Sequence, residues 1–233
     1  MQVDPKALEQ PPWSALTTTH AAFAIGNDLA RRYRPQFAPM AGVRDVSDSC
    51  LQALAALMRP GDVVGLFGAE PVTAGGDLAV VDIKTVEQLV YLRRVAPPAA
   101  GEPARLGEAD VQAMMRLAAL TKPGPFAART IALGSYIGIR SPDGLAAMAG
   151  ERMRFGGFTE ISAVCTHPDH RGRGYASVLV LALMRAILAR GETPFLHVFS
   201  DNVAAAALYE KLGFTRRRSL TVSILQRPDR RAV

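Results

Sequence analysis

Residues 160–176 read Glu-Ile-Ser-Ala-Val-Cys-Thr-His-Pro-Asp-His-Arg-Gly-Arg-Gly-Tyr-Ala, a run dense in groups able to bind or transfer charge. Pro168 closes a strand and the residues after it lead into a helix. Gly172 and Gly174 let the backbone turn tightly and approach a ligand with no Cβ in the way. The helix start adds unpaired N–H groups and the positive end of its dipole, an arrangement suited to a diphosphate. One such dipole contact is worth only about 0.3–1 kcal/mol when exposed, so several amides must act with Arg171 and Arg173. Alone, Arg-Gly-Arg-Gly is equally a plain strand-to-helix turn or an RGG-like RNA-binding element. It is neither a P-loop, because no Gly-Lys-Ser/Thr follows, nor the Gly-x-Gly-x-x-Gly fingerprint.

A second segment decides between these readings. Asn202-Val-Ala-Ala-Ala-Ala-Leu-Tyr209-Glu-Lys-Leu-Gly-Phe214 lies one predicted strand further on. Together with Arg171-x-x-Gly174-x-Ala176 it resembles the GNAT (GCN5-related N-acetyltransferase) superfamily, over roughly residues 85–233. That family's fold is a mixed, mostly antiparallel α/β sheet flanked by helices, and here an additional N-terminal α/β segment, residues 1–84, precedes it. The resemblance implies acetyl-CoA as cosubstrate and an amine as acceptor. It places Val164 and Thr166 along the pantetheine, the amides of Gly172, Arg173, Gly174, Tyr175 and Ala176 on the pyrophosphate, and Asn202 at the pantetheine or cysteamine end. Tyr209 falls near the thioester sulfur, as the acid that protonates the leaving thiolate. Independently of any family, seven helical residues turn about 700°, so Asn202 and Tyr209 point within roughly 20° of each other.

An amine of pKa ~10.4 must give up a proton before it can attack, at about 4.6 kcal/mol at pH 7, against about 1.4 kcal/mol for an α-amino group. Glu160 is the candidate base. In a regular strand it shares a face with Ser162, Val164 and Thr166, and some GNAT enzymes place a carboxylate early on the corresponding strand. His167, Asp169 and His170 read as loop-shaping or phosphate-facing groups, and His197 as a satisfied core histidine. Cys165 faces away from Val164 with no orienting base in view, which leaves direct transfer within a ternary complex. The competing reading is a non-catalytic acyl-CoA sensor.

The elements that must position these groups follow from pattern. Residues 19–33 and 49–58 read as helices, and 62–67, 78–83 and 88–94 as strands. Val111, Met114, Met115 and Ala118 follow helical spacing after Glu108. Residues 131–140 and 145–153 form a hairpin about Ser141-Pro-Asp-Gly144, and 158–166 is a strand. The helix at 174–190 is apolar nearly all round and calls for burial against a sheet. A strand at 194–200, a helix at 202–212 and a strand pair over 215–226 complete the order. Trp13 and His20 are lone residues with packing or surface roles.

The chain has 233 residues and a net charge of +6. That balance would suit RNA, but the arginine-rich C-terminal third lacks interleaved aromatics for base stacking, so an acidic small ligand fits better. Two cysteines without metal-like spacing, no basic-then-apolar leader and no long apolar run predict a cytoplasmic protein without metal or membrane attachment. A homodimer is compatible with this reading.

Overall fold

A computed structural model describes residues 4–229 except 74, 76, 94 and 100. Residue 94, the expected end of one strand, and the basic tail at Arg230 and Arg231 lie outside the described residues. The elements run α1 (Pro11–Leu16), β1 (Ala24–Gly26), β2 (Ala30–Tyr33), β3 (Met40–Val43), α2 (Asp48–Ala56), β4 (Val63–Gly68), β5 (Ala79–Val90) and β6 (Ala104–Leu106). Then come α3 (Val111–Thr121), β7 (Tyr136–Ser141), β8 (Gly144–Phe155), β9 (Phe158–Thr166), α4 (Tyr175–Ala189), β10 (Thr193–Phe199), α5 (Val203–Lys211) and β11 (Thr215–Gln226).

All these strands belong to one sheet, ordered β1-β2-β3-β4-β11-β5-β10-β9-β8-β7-β6. Its ladders are antiparallel except β3–β4 and β9–β10. The sheet is therefore the mixed, mostly antiparallel one expected, with the N-terminal strands added at one edge. β4 pairs with β11 over six residues, and the boundary expected between residues 84 and 85 falls inside β5. A core cluster joins Leu8, Leu16, Tyr33 and Met40 to Val90, Phe155 and Phe195, so the N-terminal segment shares sheet and core with the rest.

Local chemistry explains where the observed elements depart from the expected ones. Residues 19–33 are not a helix but a 3-10 turn, Ala21–Phe23, followed by the β1–β2 hairpin. The Asn27 side chain accepts the N–H groups of Leu29 and Ala30, and Gly26 has φ 134°, where a Cβ would lie 2.2 Å from the Ala30 carbonyl oxygen. This turn overrides the helical spacing of the flanking alanines. The helix forms earlier instead, with prolines in its first turn. The strands expected at 78–83 and 88–94 are one continuous β5, and the expected terminal pair is the single long β11. Residues Thr130–Leu133 form a 3-10 turn, so β7 starts only at Tyr136. β9 spans the expected residues, and α4 packs Leu179, Val180, Leu183, Met184 and Ile187 into a core with the sheet.

Two irregularities set the course of β9. β9 and β10 pair only from Phe158 to Glu160, opposite Thr193 to Phe195, and then part. Ala163 has φ 53° and lies where the β8–β9 register shifts, an extra residue in β9.

Candidate active site

The register shift redirects the side chains of β9. Ile161 and Val164 pack with the α4 cluster, whereas Ala163 and Cys165 pack with α3. Val164 thus leaves the face on which regular alternation had put it with Glu160, while Cys165 remains opposite Val164. Burial pushes the Cys165 thiol up to about 11, which keeps it an inert packing residue.

Glu160 is fully buried, and neighbouring donors occupy its carboxylate. Arg152 donates from Nε to Oε2 at 2.8 Å and from Nη2 to Oε1 at 2.7 Å. The imidazole of His197 donates from Nδ1 to Oε1 at 2.8 Å. Burial alone would raise the Glu160 carboxyl, but the charge and hydrogen bonds of Arg152, then of His197, outweigh it and hold it down to about 2. A carboxylate so placed is a poor proton acceptor. Glu160, the candidate base, is not among the residues lining the cleft, whereas its partners Arg152 and His197 are.

His197 is itself fully engaged. Gln88, opposite it in the β5–β10 ladder, places Nε2 at 3.1 Å from Nε2 of the imidazole. Arg217 donates to Gln88 Oε1 at 3.0 Å, and Gln88 Nε2 donates to the Leu8 carbonyl at 2.9 Å. The amide orientation is thereby fixed, so its second N–H points at His197 and the ring is the Nδ1–H tautomer with its lone pair capped. The expectation of a satisfied histidine holds, but its partners could not be read from sequence.

Above this network lies a cleft of about 380 Å³. Val164, Asn202 and Tyr209 all line it, as do Met40 and Phe67 from the N-terminal strands and Val222 and Ile224 from β11. Asn202 caps α5 by accepting the Ala205 N–H, which leaves its amide N–H groups free for the cleft. Tyr209 packs edge-on against Phe214, and burial, with a smaller contribution from Cys165, pushes its hydroxyl up to about 12.

Beyond β9, Pro168–His170 forms a 3-10 turn in which His167 accepts the Asp169 N–H, as expected of loop-shaping groups. Gly172 and Gly174 adopt φ 75° and 77°, and a Cβ on either would meet no atom within 4 Å. They are glycines for backbone conformation, and the space before α4, opened by Gly174 as its N-cap, is clear for a ligand. Arg171, Arg173, Tyr175 and Ala176 frame that helix start, while Thr166 ends β9 paired with Ala147. The fit to a diphosphate rests on this open, amide-rich turn. Among the described residues no group of His, Cys, Asp and Glu is arranged to hold a metal ion, and no helix is long and apolar enough to cross a membrane.

Comparison with known proteins bears on the fold and the family. The family described as FR47-like protein matches residues 136–222. A crystal structure of an acetyltransferase assigned to the GNAT family, from Novosphingobium aromaticivorans, is 34% identical, covers 95% of this chain and 99% of its own, and superposes with a TM-score of 0.89. The chain belongs to the GNAT family of acetyltransferases. A GCN5-related N-acetyltransferase from Kribbella flavida shares the fold at 16% identity, with a TM-score of 0.61 over 94% of this chain and 95% of that one. A mycothiol acetyltransferase of Frankia casuarinae is 46% identical over 57 residues, 24% of this chain but only 17% of that protein. The chain thus spans only a short part of that relative's length.

Proposed function

We propose that the protein transfers the acetyl group of acetyl-CoA to an amine by direct attack within a ternary complex. The observation that carries this reading is the parting of β9 from β10 beside a cleft lined by Val164, Asn202 and Tyr209. The pantetheine enters that gap along Val164 and Thr166, with the diphosphate on the amides of Gly172 to Ala176 and the charges of Arg171 and Arg173. The neutral amine attacks the thioester carbon, forming the C–N bond. Backbone N–H groups of β9, freed where β10 departs, polarise the carbonyl. As the tetrahedral intermediate collapses, the C–S bond breaks and Tyr209 gives its proton to the thiolate. The proton shed by the amine leaves to water, because Glu160 and His197 are already occupied.

A non-catalytic acyl-CoA sensor would use the same loop, and the buried position of Glu160 favours it as the second reading. Calorimetry with acetyl-CoA and with RNA tests the ligand, and thiol release over an amine panel tests turnover. Gly174→Val forces a branched side chain onto φ 77° and into the diphosphate space. Retained acetyl-CoA affinity in that folded variant would move the site elsewhere.

A further inference from the structure

A second cavity, of about 690 Å³, lies at the opposite end of the sheet from the cleft. Phe158 and Thr193, where β9 and β10 begin, line it, whereas Val164 and Phe199, near the ends of the same two parallel strands, line the cleft. Among the described residues the two cavities share no lining group, and β9 and β10 are paired at this end, so no gap admits a pantetheine.

The charges around this cavity do not cancel. Arg216 pairs with Glu87, and Glu192 is held by Arg154 at 2.6 Å and Arg190 at 3.3 Å. Arg217, by contrast, donates to two neutral acceptors, Gln88 Oε1 and the Pro5 carbonyl, each at 3.0 Å. Its carboxylate neighbour, Glu9, stands 3.9 Å away and is shared with Arg218 at 3.8 Å. Burial and the charge of Arg218 pull the Arg217 guanidinium below its ordinary range, against the pull of Glu9. Arg93 lines the same cavity, exposed and with no carboxylate partner among the described residues. Leu8, Val90, Phe158 and Leu188 supply an apolar wall, and Leu92 adds a side chain left 70% exposed. We propose that this cavity is a ligand site, separate from the cleft, for a small carboxylate on an apolar body, the carboxylate held by Arg93 and Arg217.

The lining selects that class on three grounds. Uncompensated cations in a concave site attract an anion and repel an ammonium group. The planar fork of a guanidinium matches a carboxylate, and the apolar wall rewards a hydrocarbon body with about 25 cal/mol per Å² removed from water. Glu192, a carboxylate on the same wall, repels a phosphate dianion more strongly than a monoanion. The volume lies within the range of roughly 300–1,000 Å³ usual for small-molecule sites.

The test is calorimetry on the full chain with four probes that share one body: hexanoate, hexanol, hexylamine and hexyl phosphate. Hexanoate should bind about tenfold or more tightly than each of the other three. Arg93→Gln removes an exposed charge without disturbing the core, and should weaken hexanoate by roughly fivefold or more while leaving hexanol unchanged. Arg217→Gln should do the same, with circular dichroism verifying that this variant is folded. Equal affinity for hexanoate and hexanol, tighter binding of hexylamine or hexyl phosphate, or hexanoate affinity untouched by Arg93→Gln would each overturn the assignment.

Discussion

The Tyr33 hydroxyl and Nδ1 of His20 share a hydrogen bond of 2.9 Å inside the N-terminal region, and neither side chain reaches solvent. His20 also stands edge-on to Phe23. Burial lowers His20 from the ordinary histidine value to about 4, Arg154 lowers it further, and Glu160 opposes. The unfolded chain, with a histidine near 6.5, therefore takes up this proton before the folded one does. The folded state loses stability as pH falls from about 6.5 towards 4. His20→Gln should flatten that part of the profile. Denaturant midpoints at pH 7 and pH 5 check it: an unchanged gap between the two would exclude His20 as the source.

Glu160 acts in the same direction over a lower pH window, because its folded value is depressed as well. Its pairing stabilises the fold above the ordinary carboxylate range, and that contribution is lost as pH falls through about 2. Glu160→Gln strands Arg152 as a buried unpaired charge and should destabilise by about 3–5 kcal/mol. Acetyl-CoA affinity should persist in the folded fraction, and the acidic limb of the pH–rate profile should keep its shape. Loss of that limb in the variant would return Glu160 to the role of base.

Tyr209→Phe keeps the ring against Phe214 and removes only the hydroxyl. A thiol leaving group near pKa 8.5 departs tolerably without a proton, so the acid supplies only part of its usual benefit. Turnover should fall roughly ten- to a hundredfold, about 1.4–2.7 kcal/mol, with acetyl-CoA affinity nearly intact. Full activity would make Tyr209 a packing residue and leave the thiolate to water.

A chain begun at Thr85 would lack β1 to β4 and the first half of β5, baring the β11 edge that carries Val222 and Leu225. It should be insoluble or partly folded. Soluble expression with near-native circular dichroism and acetyl-CoA binding would show instead that the C-terminal part folds on its own.

The second half of the chain was far more legible than the first, for local reasons. β9 is bounded by Gly156-Gly157 and Pro168, and α4 follows a glycine pair, so punctuation and periodicity agree there. In residues 19–33 a helix-like spacing competed with the Asn27 turn, and the turn won. The loop proposed for the diphosphate could be read because its residues are contiguous in sequence. The floor network could not, since Glu160 meets Arg152 and His197 from neighbouring strands, and His197 in turn meets Gln88, 109 positions away. The extra residue at Ala163 also breaks the period-two alternation on which the facing of Val164 depended.

The place of β11 between β4 and β5 governs how the molecule can be made. β4 and β5 leave the ribosome early, yet the strand that joins them follows only after β10 and α5. At about 5–20 residues per second the interval is on the order of ten seconds. Throughout it the facing edges of β4 and β5 stand open, and contacts as distant as Val72 with Ser223 wait for β11. Such long-range closure also slows folding once synthesis is complete. Asp82 and Lys84, set among the exposed Val81 and Ile83 of β5, put charge on one of these edges and oppose its pairing with a neighbouring nascent chain. A frameshift just upstream of β11 would therefore leave both edges open and strip Val222 and Ile224 from the cleft at the same time.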